Sequence, residues 1–267
     1  MRLGLVVNRE REEAVEFETR FEEAAEVVGC ETLALDQESP STPPDWDEVD
    51  AVVAIGGDGT VLNATRRAML TGTPVLGINL GTLGFLAEAE PEQLDEVLAA
   101  LTSGDYTIEE RNTIEATIGD VSEPGLNDVV VEKIESQRLV VLDVEVNGER
   151  FLTYRADGIV VATSTGSTAY GFSAGGPLID PRVETLLVTP VAPHSLFDRS
   201  LVMPPDSRIV ITVTDDRPVR VSVDGREIGS LHEGEFVEIG PADRRARFIR
   251  LSNEGFATRV TRKFGLE

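Results

Sequence analysis

A change of hydrophobic period near residue 105 constrains this chain more than any other feature. Before it, short apolar runs alternate with stretches of helical period. Leu3 to Val7 predicts a buried strand. Ala14, Phe17, Phe21, Ala24 and Val28 then recur at steps of three and four, the spacing of one helix face. The glutamates among them fall mainly at the other positions and read as a solvated face. Ala51 to Ile55 and Pro74 to Asn79 predict two further strands, with a helix from Val61 to Leu70 between them. Ser39 to Trp46 is rich in proline and reads as a loop. Pro91 to Leu101 begins on proline and is followed by Gly104, the two ends a helix favours. Strands alternating with helices predict a parallel sheet covered on both faces.

Beyond residue 105 the period falls to two. Arg138 to Val146 and Glu149 to Tyr154 flank Asn147-Gly148, the residue pair of a type I′ hairpin. Arg208 to Thr214 and Val219 to Val223 form another pair, followed by Asp224-Gly225 and a further strand. Glu235 to Ile239 and Arg247 to Leu251 continue the series. The expected organisation is an α/β domain over residues 1–104 and an all-β, sandwich-like domain over 105–250, with a tail over 251–267. That tail mixes Arg259, Arg262 and Lys263 with Phe256, Val260 and Phe264, a pattern suited to packing back on the first domain.

The chain carries 48 acidic against 24 basic residues, a net charge of −24. A phosphate backbone would be repelled, which excludes generic nucleic-acid binding. The acidity is spread over nearly every segment, as in proteins of high-salt interiors such as those of halophilic archaea, where salt screens the self-repulsion. No apolar run approaches the roughly 20 residues that span a bilayer. The first strand ends in charge and lacks the form of a signal peptide. With one cysteine, Cys30, no disulfide can close within the chain. A reducing cytoplasm is the expected setting.

Three constellations carry chemistry. Gly56-Gly57-Asp58-Gly59-Thr60 lies between a predicted strand and helix. Its glycines permit a tight bend and close approach to a ligand, and the helix start offers free N–H groups to phosphate. Asp58 there suits a general base or a ligand acting through Mg²⁺, or else a plain helix N-cap. The second runs from Ala162 to Pro177, with small hydroxyl residues and glycines surrounding Tyr170, and suits a folded loop that binds a nucleotide. Just before it, Arg155 and Asp157 place a cation and a carboxylate at a strand start; a surface ion pair is the plain alternative. The third is Asn127-Asp128, an amide and a carboxylate suited to ribose hydroxyls or an adenine edge, or to an Asx-type turn.

Together these motifs resemble the NAD kinase family. The similarity is carried by the GGDG run, the Asn127-Asp128 pair, the Thr165 to Ser173 loop, the segment Gly77 to Leu86 and the later Thr189 to Leu196. It extends from about residue 50 to about residue 227. GGDG by itself is shared with diacylglycerol and sphingosine kinases and with phosphofructokinases.

The resemblance implies a Rossmann-like N-terminal α/β domain and a β-sandwich-like second domain. It implies transfer of phosphate from ATP, or from polyphosphate, to the adenosine ribose 2′-hydroxyl of NAD, with Mg²⁺ accompanying the donor. It assigns Asp58 as the base, with Gly59 beside it. Asn127, Asp128, Thr165, Thr168, Ala169, Tyr170, Gly171, Phe172 and Ser173 would hold the adenosine part. Asp157 and Ala192 would hold the far end of the dinucleotide. Arg138 and Arg155 match positions that approach the ligand, in some members from a neighbouring subunit, so a homodimer or homotetramer is expected. The chain departs from the common pattern at Asn63 and Arg226, which are retained as contacts bearing on donor choice and NADH tolerance. His194 and His232 lack any catalytic setting.

Overall fold

Apolar runs too short for helices assemble first into one sheet. The computed structural model describes residues 1–35, 44–81, 84–252 and 254–266. Strand β1 (Arg2–Val7) is buried from Leu3 onward, and helix α1 (Glu12–Val27) turns Ala14, Phe17, Phe21 and Ala25 inward. The predicted face drifts in the last turn: Ala25 takes the place of Ala24, and Val28 is exposed. Next come β2 (Glu31–Ala34), β3 (Ala51–Gly56), α2 (Asp58–Thr71) and β4 (Val75–Asn79). Helix α3 (Leu94–Ser103) and β5 (Thr107–Arg111) follow. Both α2 and α3 stop at a left-handed glycine, Gly72 at φ 75° and Gly104 at φ 76°, where a side chain would be strained. Of the Pro-rich loop, residues 39–43 lie outside the described residues, and Pro44–Asp47 forms a single 3₁₀ turn.

The second part is built from antiparallel strands. These are β6 (Ile114–Ile118), β7 (Val121–Gly125), β8 (Asp128–Lys133), β9 (Val140–Val146), β10 (Glu149–Ala156) and β11 (Gly158–Thr163). A short helix α4 (Tyr170–Ser173) precedes β12 (Leu186–Val191), β13 (Leu201–Met203), β14 (Ile209–Val213) and β15 (Val219–Val223). Strands β16 (Arg226–Leu231) and β17 (Phe236–Pro241) complete it. They form two six-stranded sheets, ordered β10-β9-β14-β17-β6-β7 and β13-β12-β11-β8-β15-β16. Their inner faces share one apolar core that includes Val129, Val144, Tyr154, Ile159, Ile211 and Val221. Strands β9 and β14 alternate buried with partly exposed residues, as a sandwich requires. Asn147 and Gly148 both adopt positive φ, 53° and 80°, the signature of the expected type I′ turn.

Strand β11 is buried at every position, so both of its faces are covered. A second small cluster of Val130, Val160, Ala162 and Leu187 lies on its other face, packed by Ala174, Ile179 and Val191. The loop after β11 therefore folds down over the outer surface of this sheet, which fixes where the Tyr170 region lies.

The chain then returns to its first sheet. Strand β18 (Ala246–Arg250) pairs in parallel with β4, Phe248 beside Val75, and the sheet order is β2-β1-β3-β4-β18-β5. The sequence placed Arg247 to Leu251 with the preceding β strands. The structure corrects this, because period two reports burial on one face and carries no information about which sheet supplies the partner. Ile249 belongs to the same core as Leu3, Phe21 and Ile78. The compact units are residues 1–110 with 244–267, and residues 111–243. The expected boundaries at 104/105 and 250/251 thus differ from those of the structure by six and seven residues, the extra segments being β5 and β18. Helix α5 (Phe256–Phe264) falls in the first unit.

Buried Glu88 ties this closing segment down. Its carboxylate accepts from Arg250 Nη1 at 2.9 Å, Arg259 Nη2 at 2.6 Å, and the N–H groups of Leu251 and Ser252, both at 3.0 Å. Burial pushes the Glu88 carboxyl up, but Arg250, Arg259 and these donors outweigh it and hold the group below its ordinary value. Among the described residues no helix is long and apolar enough to cross a membrane.

Candidate active site

The order of the first sheet creates a cleft. From β1 the chain moves outward to β2 and then crosses to β3 on the other side, so strand order reverses at the β1/β3 boundary. Open parallel sheets bind ligands beyond the carboxyl ends of the strands at such a point. Here those ends lead into Asn8-Arg9-Glu10-Arg11 and Gly57-Asp58-Gly59. A cavity of about 710 Å³ is lined by the first segment, by Gly57 and Gly59 of the second, and by Leu35, Thr60 and Asn63, a volume within the usual range for small-molecule sites.

At Gly56 a Cβ would collide with the Thr60 hydroxyl, so this glycine is required by close packing. Gly57 and Gly59 face open space, and their lack of side chains leaves the helix start accessible. The first helical bonds of α2 run from the Thr60 and Val61 N–H groups to Gly57 O, so the N–H groups of Asp58 and Gly59 precede the helix's own bonding pattern. Asp58 is not an N-cap: that position is Gly57, with no side-chain cap. Instead, one carboxylate oxygen of Asp58 accepts from Phe85 N–H at 2.9 Å and the other from Leu86 N–H at 3.1 Å. A Cβ at Gly84 would overlap the same carboxylate. Two amides and a glycine therefore fix its direction.

In the second unit, strand pairing gathers three distant motifs. Antiparallel register sets Ala162 of β11 beside Asp128 of β8, and Val223 of β15 beside Val129. Asn127-Asp128, the loop after Thr163 and the Asp224-Gly225 turn therefore meet at one end of the sheet. Thr163 donates to Leu126 O at 2.6 Å and to Asn127 O at 2.8 Å, and a Cβ at Gly166 would collide with the Asn127 backbone. Asp224 accepts from the N–H groups of Leu126, Asn127 and Asp128 at 2.8, 2.7 and 3.2 Å. Asp128 is buried and accepts from the Tyr170 N–H; burial and then the nearby Asp224 charge push its carboxyl up to about 7.

Thr165 is 2% exposed, and its hydroxyl has no hydrogen-bond partner among the described residues. The fold leaves this buried donor unused. Tyr170 and Phe172 are exposed rings at 36% and 40%, suited to stacking. The Tyr170 hydroxyl is pushed up by partial burial and by Glu132, Asp157 and Asp128. Of these carboxylates, Glu132 lies near the end of β8 opposite Asp128.

At that other end, about 13 Å along the strand, Gly158 pairs with both Glu132 and Val191. Asp157 is ion-paired with Lys133, not with Arg155, which is exposed. Ala192 follows β12 in the left-handed region at φ 45°, a strained position for a side-chain residue. The amides on either side hold it there, Asp157 N–H donating to Val191 O and His194 N–H to Arg155 O.

The structure thus groups Asp58, Gly59 and Asn63 in the first unit. In the second it groups Asn127, Asp128 and Thr165 to Ser173, with Asp157 and Ala192 along the same strands. Arg138 lies exposed in the 134–139 connection, and Arg226 is exposed with Glu123 at 3.8 Å. Sequence reasoning missed Asn8, Arg9 and Arg11, which the rule of strand carboxyl ends would have flagged. It also missed Lys133, and it read Asp224 only as a turn residue.

Comparison with known proteins gives a consistent picture. Residues 2–106 match the family described as the ATP-NAD kinase N-terminal domain, and residues 126–251 match the ATP-NAD kinase C-terminal domain. The chain is 42% identical over 242 residues to an NAD kinase of Desulforamulus reducens, covering 88% of this chain and 82% of that one. It is 37% identical over 278 residues to an NAD kinase of Thermococcus sibiricus, covering 99% and 100%. Among solved structures, an NAD kinase of Archaeoglobus fulgidus in complex with ATP aligns with TM-score 0.78 at 26% identity, over 100% of this chain and 97% of that one. A yeast NADH kinase complexed with NADH shares the fold at TM-score 0.89 and 24% identity, over 100% and 88%.

Proposed function

The chain belongs to the NAD kinase family, and from that premise we propose that Asp58 is the base that takes the proton from the adenosine ribose 2′-hydroxyl. The enzyme phosphorylates NAD to NADP. As Asp58 accepts the proton, the ribose oxygen bonds to the terminal phosphorus of ATP and the bond to the ADP oxygen breaks. The observation that carries this reading is the aim of the Asp58 carboxylate, held by two backbone amides beside a glycine turn that opens on a cavity. In this reading the α2 start and Arg11 hold donor phosphates, with Asn63 at the rim.

The recognition of NAD falls to the second unit. Asn127, Asp128 and the Thr165 hydroxyl take the adenosine, and Tyr170 and Phe172 offer stacking faces. Asp157 and Ala192, together with Lys133, take the far end. Arg138, Arg155 and Arg226 are exposed cations placed to reach the ligand or a neighbouring subunit, in keeping with a homodimer or homotetramer. Among the described residues no three His, Cys, Asp or Glu side chains cluster as a cation cage. Mg²⁺ in this reading would enter with the donor, held by its phosphates, as is usual for this ion. When bound it neutralises charge developing on those phosphates. Polyphosphate is a second donor in this reading, the setting is a cytoplasm, and the acidic surface supports a high-salt one, as in a halophilic archaeon.

Incubation with NAD, ATP and Mg²⁺ followed by assay of NADP tests the reading. Asp58→Asn should still bind NAD while kcat falls about 10²–10⁴-fold, the usual contribution of a general base. Turnover near the wild-type rate would remove Asp58 from that role.

A further inference from the structure

The amides that aim Asp58 belong to Phe85 and Leu86, and the residues immediately after them are gripped by the C-terminal helix. Arg259 of α5 is 8% exposed. One end of its guanidinium donates to Ala87 O at 2.8 Å and the other to Glu88 Oε2 at 2.6 Å. Its Nε faces Glu254 at 3.5 Å, so the buried cation is held from three sides. The Phe85 ring packs between Phe256 and Phe264 of the same helix, with centroids 6.2 and 6.3 Å away. Beyond the grip, Glu88 and Ala89 N–H groups both donate to Gly77 O, at 2.8 and 3.2 Å, and Asn79 N–H donates to Ala89 O at 2.9 Å. Residues 85–89 are thus clamped by β4 on one side and α5 on the other, with the Asp58 carboxylate bonded to their leading edge.

We propose that Arg259 is a positioning residue for phosphoryl transfer, setting the aim of Asp58 through the backbone of residues 85–88. The proposal rests on Asp58 being the base. The C-terminal helix is then part of the catalytic apparatus and not only a closing strap. A purely structural Arg259 would affect melting and leave turnover of the folded enzyme alone, whereas a positioning Arg259 acts on kcat. Misplacement of a reacting group by about 1 Å costs on the order of a hundredfold in rate, so a partial loss of aim should be readily measured.

The test uses the full chain, assayed with NAD, ATP and Mg²⁺ well below the melting temperature of each variant. Arg259→Ala is expected to lower kcat about tenfold or more, with KM for NAD and ATP unchanged. Amide hydrogen exchange at Phe85 and Leu86 is expected to quicken. Arg259→Lys, which keeps the charge but cannot span both acceptors, should give an intermediate kcat and serves if the alanine variant fails to fold. Thr258→Ala, on the exposed side of the same helix, is the control. In an Asp58→Asn background Arg259→Ala should cost nothing further, because its effect passes through that carboxylate. Unchanged kcat, a loss confined to KM, or the same loss in both backgrounds would each overturn the proposal. Near-normal turnover of Asp58→Asn would instead overturn the base assignment, a separate result.

Discussion

The carboxylate of Asp224 accepts a hydrogen bond from the Asn127 N–H at 2.7 Å, although 97 positions separate the two residues. It also holds the neighbouring amides of Leu126 and Asp128, so one turn residue fixes the backbone of the whole Asn-Asp motif. Asp224→Ala leaves three amides without this acceptor and puts alanine at φ 49°. The expected cost is about 1–3 kcal/mol of stability in urea unfolding, with KM for NAD raised more than kcat is lowered. Unchanged NAD kinetics would confine Asp224 to the turn.

Asp128 titrates at about 7 in the folded chain against 3.8 ordinarily, because burial and then Asp224 disfavour its charged form. Between those values the folded state holds a proton that the unfolded state has released. This group therefore adds stability as pH falls from about 7 towards 4, and that contribution is lost as pH rises. Asp128→Asn mimics the protonated form. It should melt higher than the parent at about pH 8 and alongside it at about pH 4. Equal melting at both would show that the carboxyl is not raised.

The Thr165 hydroxyl is buried without a hydrogen-bond partner among the described residues. Thr165→Val removes it at little change of shape. Stability of the free protein should hold or rise by about 1 kcal/mol, while NAD affinity falls about tenfold, the value of one hydrogen bond to a buried donor. Calorimetric titration beside thermal melting reads both. A fall in stability with NAD binding intact would assign the hydroxyl to the fold.

A net charge of −24 makes the compact state self-repelling at low ionic strength. The melting temperature should climb between dilute buffer and molar KCl, with most of the gain where the screening length drops below about 8 Å. Equal stability at low and molar KCl would argue against a high-salt setting.

Local chemistry was legible from the chain itself. Strands β1, β3 and β4 and the helices between them followed from short apolar runs and helical spacing, and Asn147-Gly148 announced its hairpin. Asp58 could be singled out because a carboxylate among three glycines is unusual, yet whether it capped the helix was open until Phe85 and Leu86 were seen to bind it. What stayed hidden depends on pairing over long distances. Nothing near Ala246 to Arg250 says that this strand joins β4, and nothing near Asp224 says that it serves Asn127. Arg9 and Arg11 went unread because the reversal of strand order beside them belongs to the sheet. Lys133, not Arg155, pairs with Asp157, since Asp157 lies at the bend between β10 and β11, where the Lys133 N–H at the end of β8 also donates to its carbonyl oxygen.

The return of β18 to the first sheet has a consequence for how the protein is made. A ribosome releases β1 to β5 first, yet the strand that lies between β4 and β5 is not synthesised until after residue 243. The nascent first unit must wait, incomplete, while the whole β-sandwich emerges and gains the chance to fold ahead of it. Of the two units, the one translated first is thus the last to close. A stalled or clipped chain that loses its final two dozen residues would keep every strand of the sandwich and lose the strand that joins β4 to β5 in the other sheet.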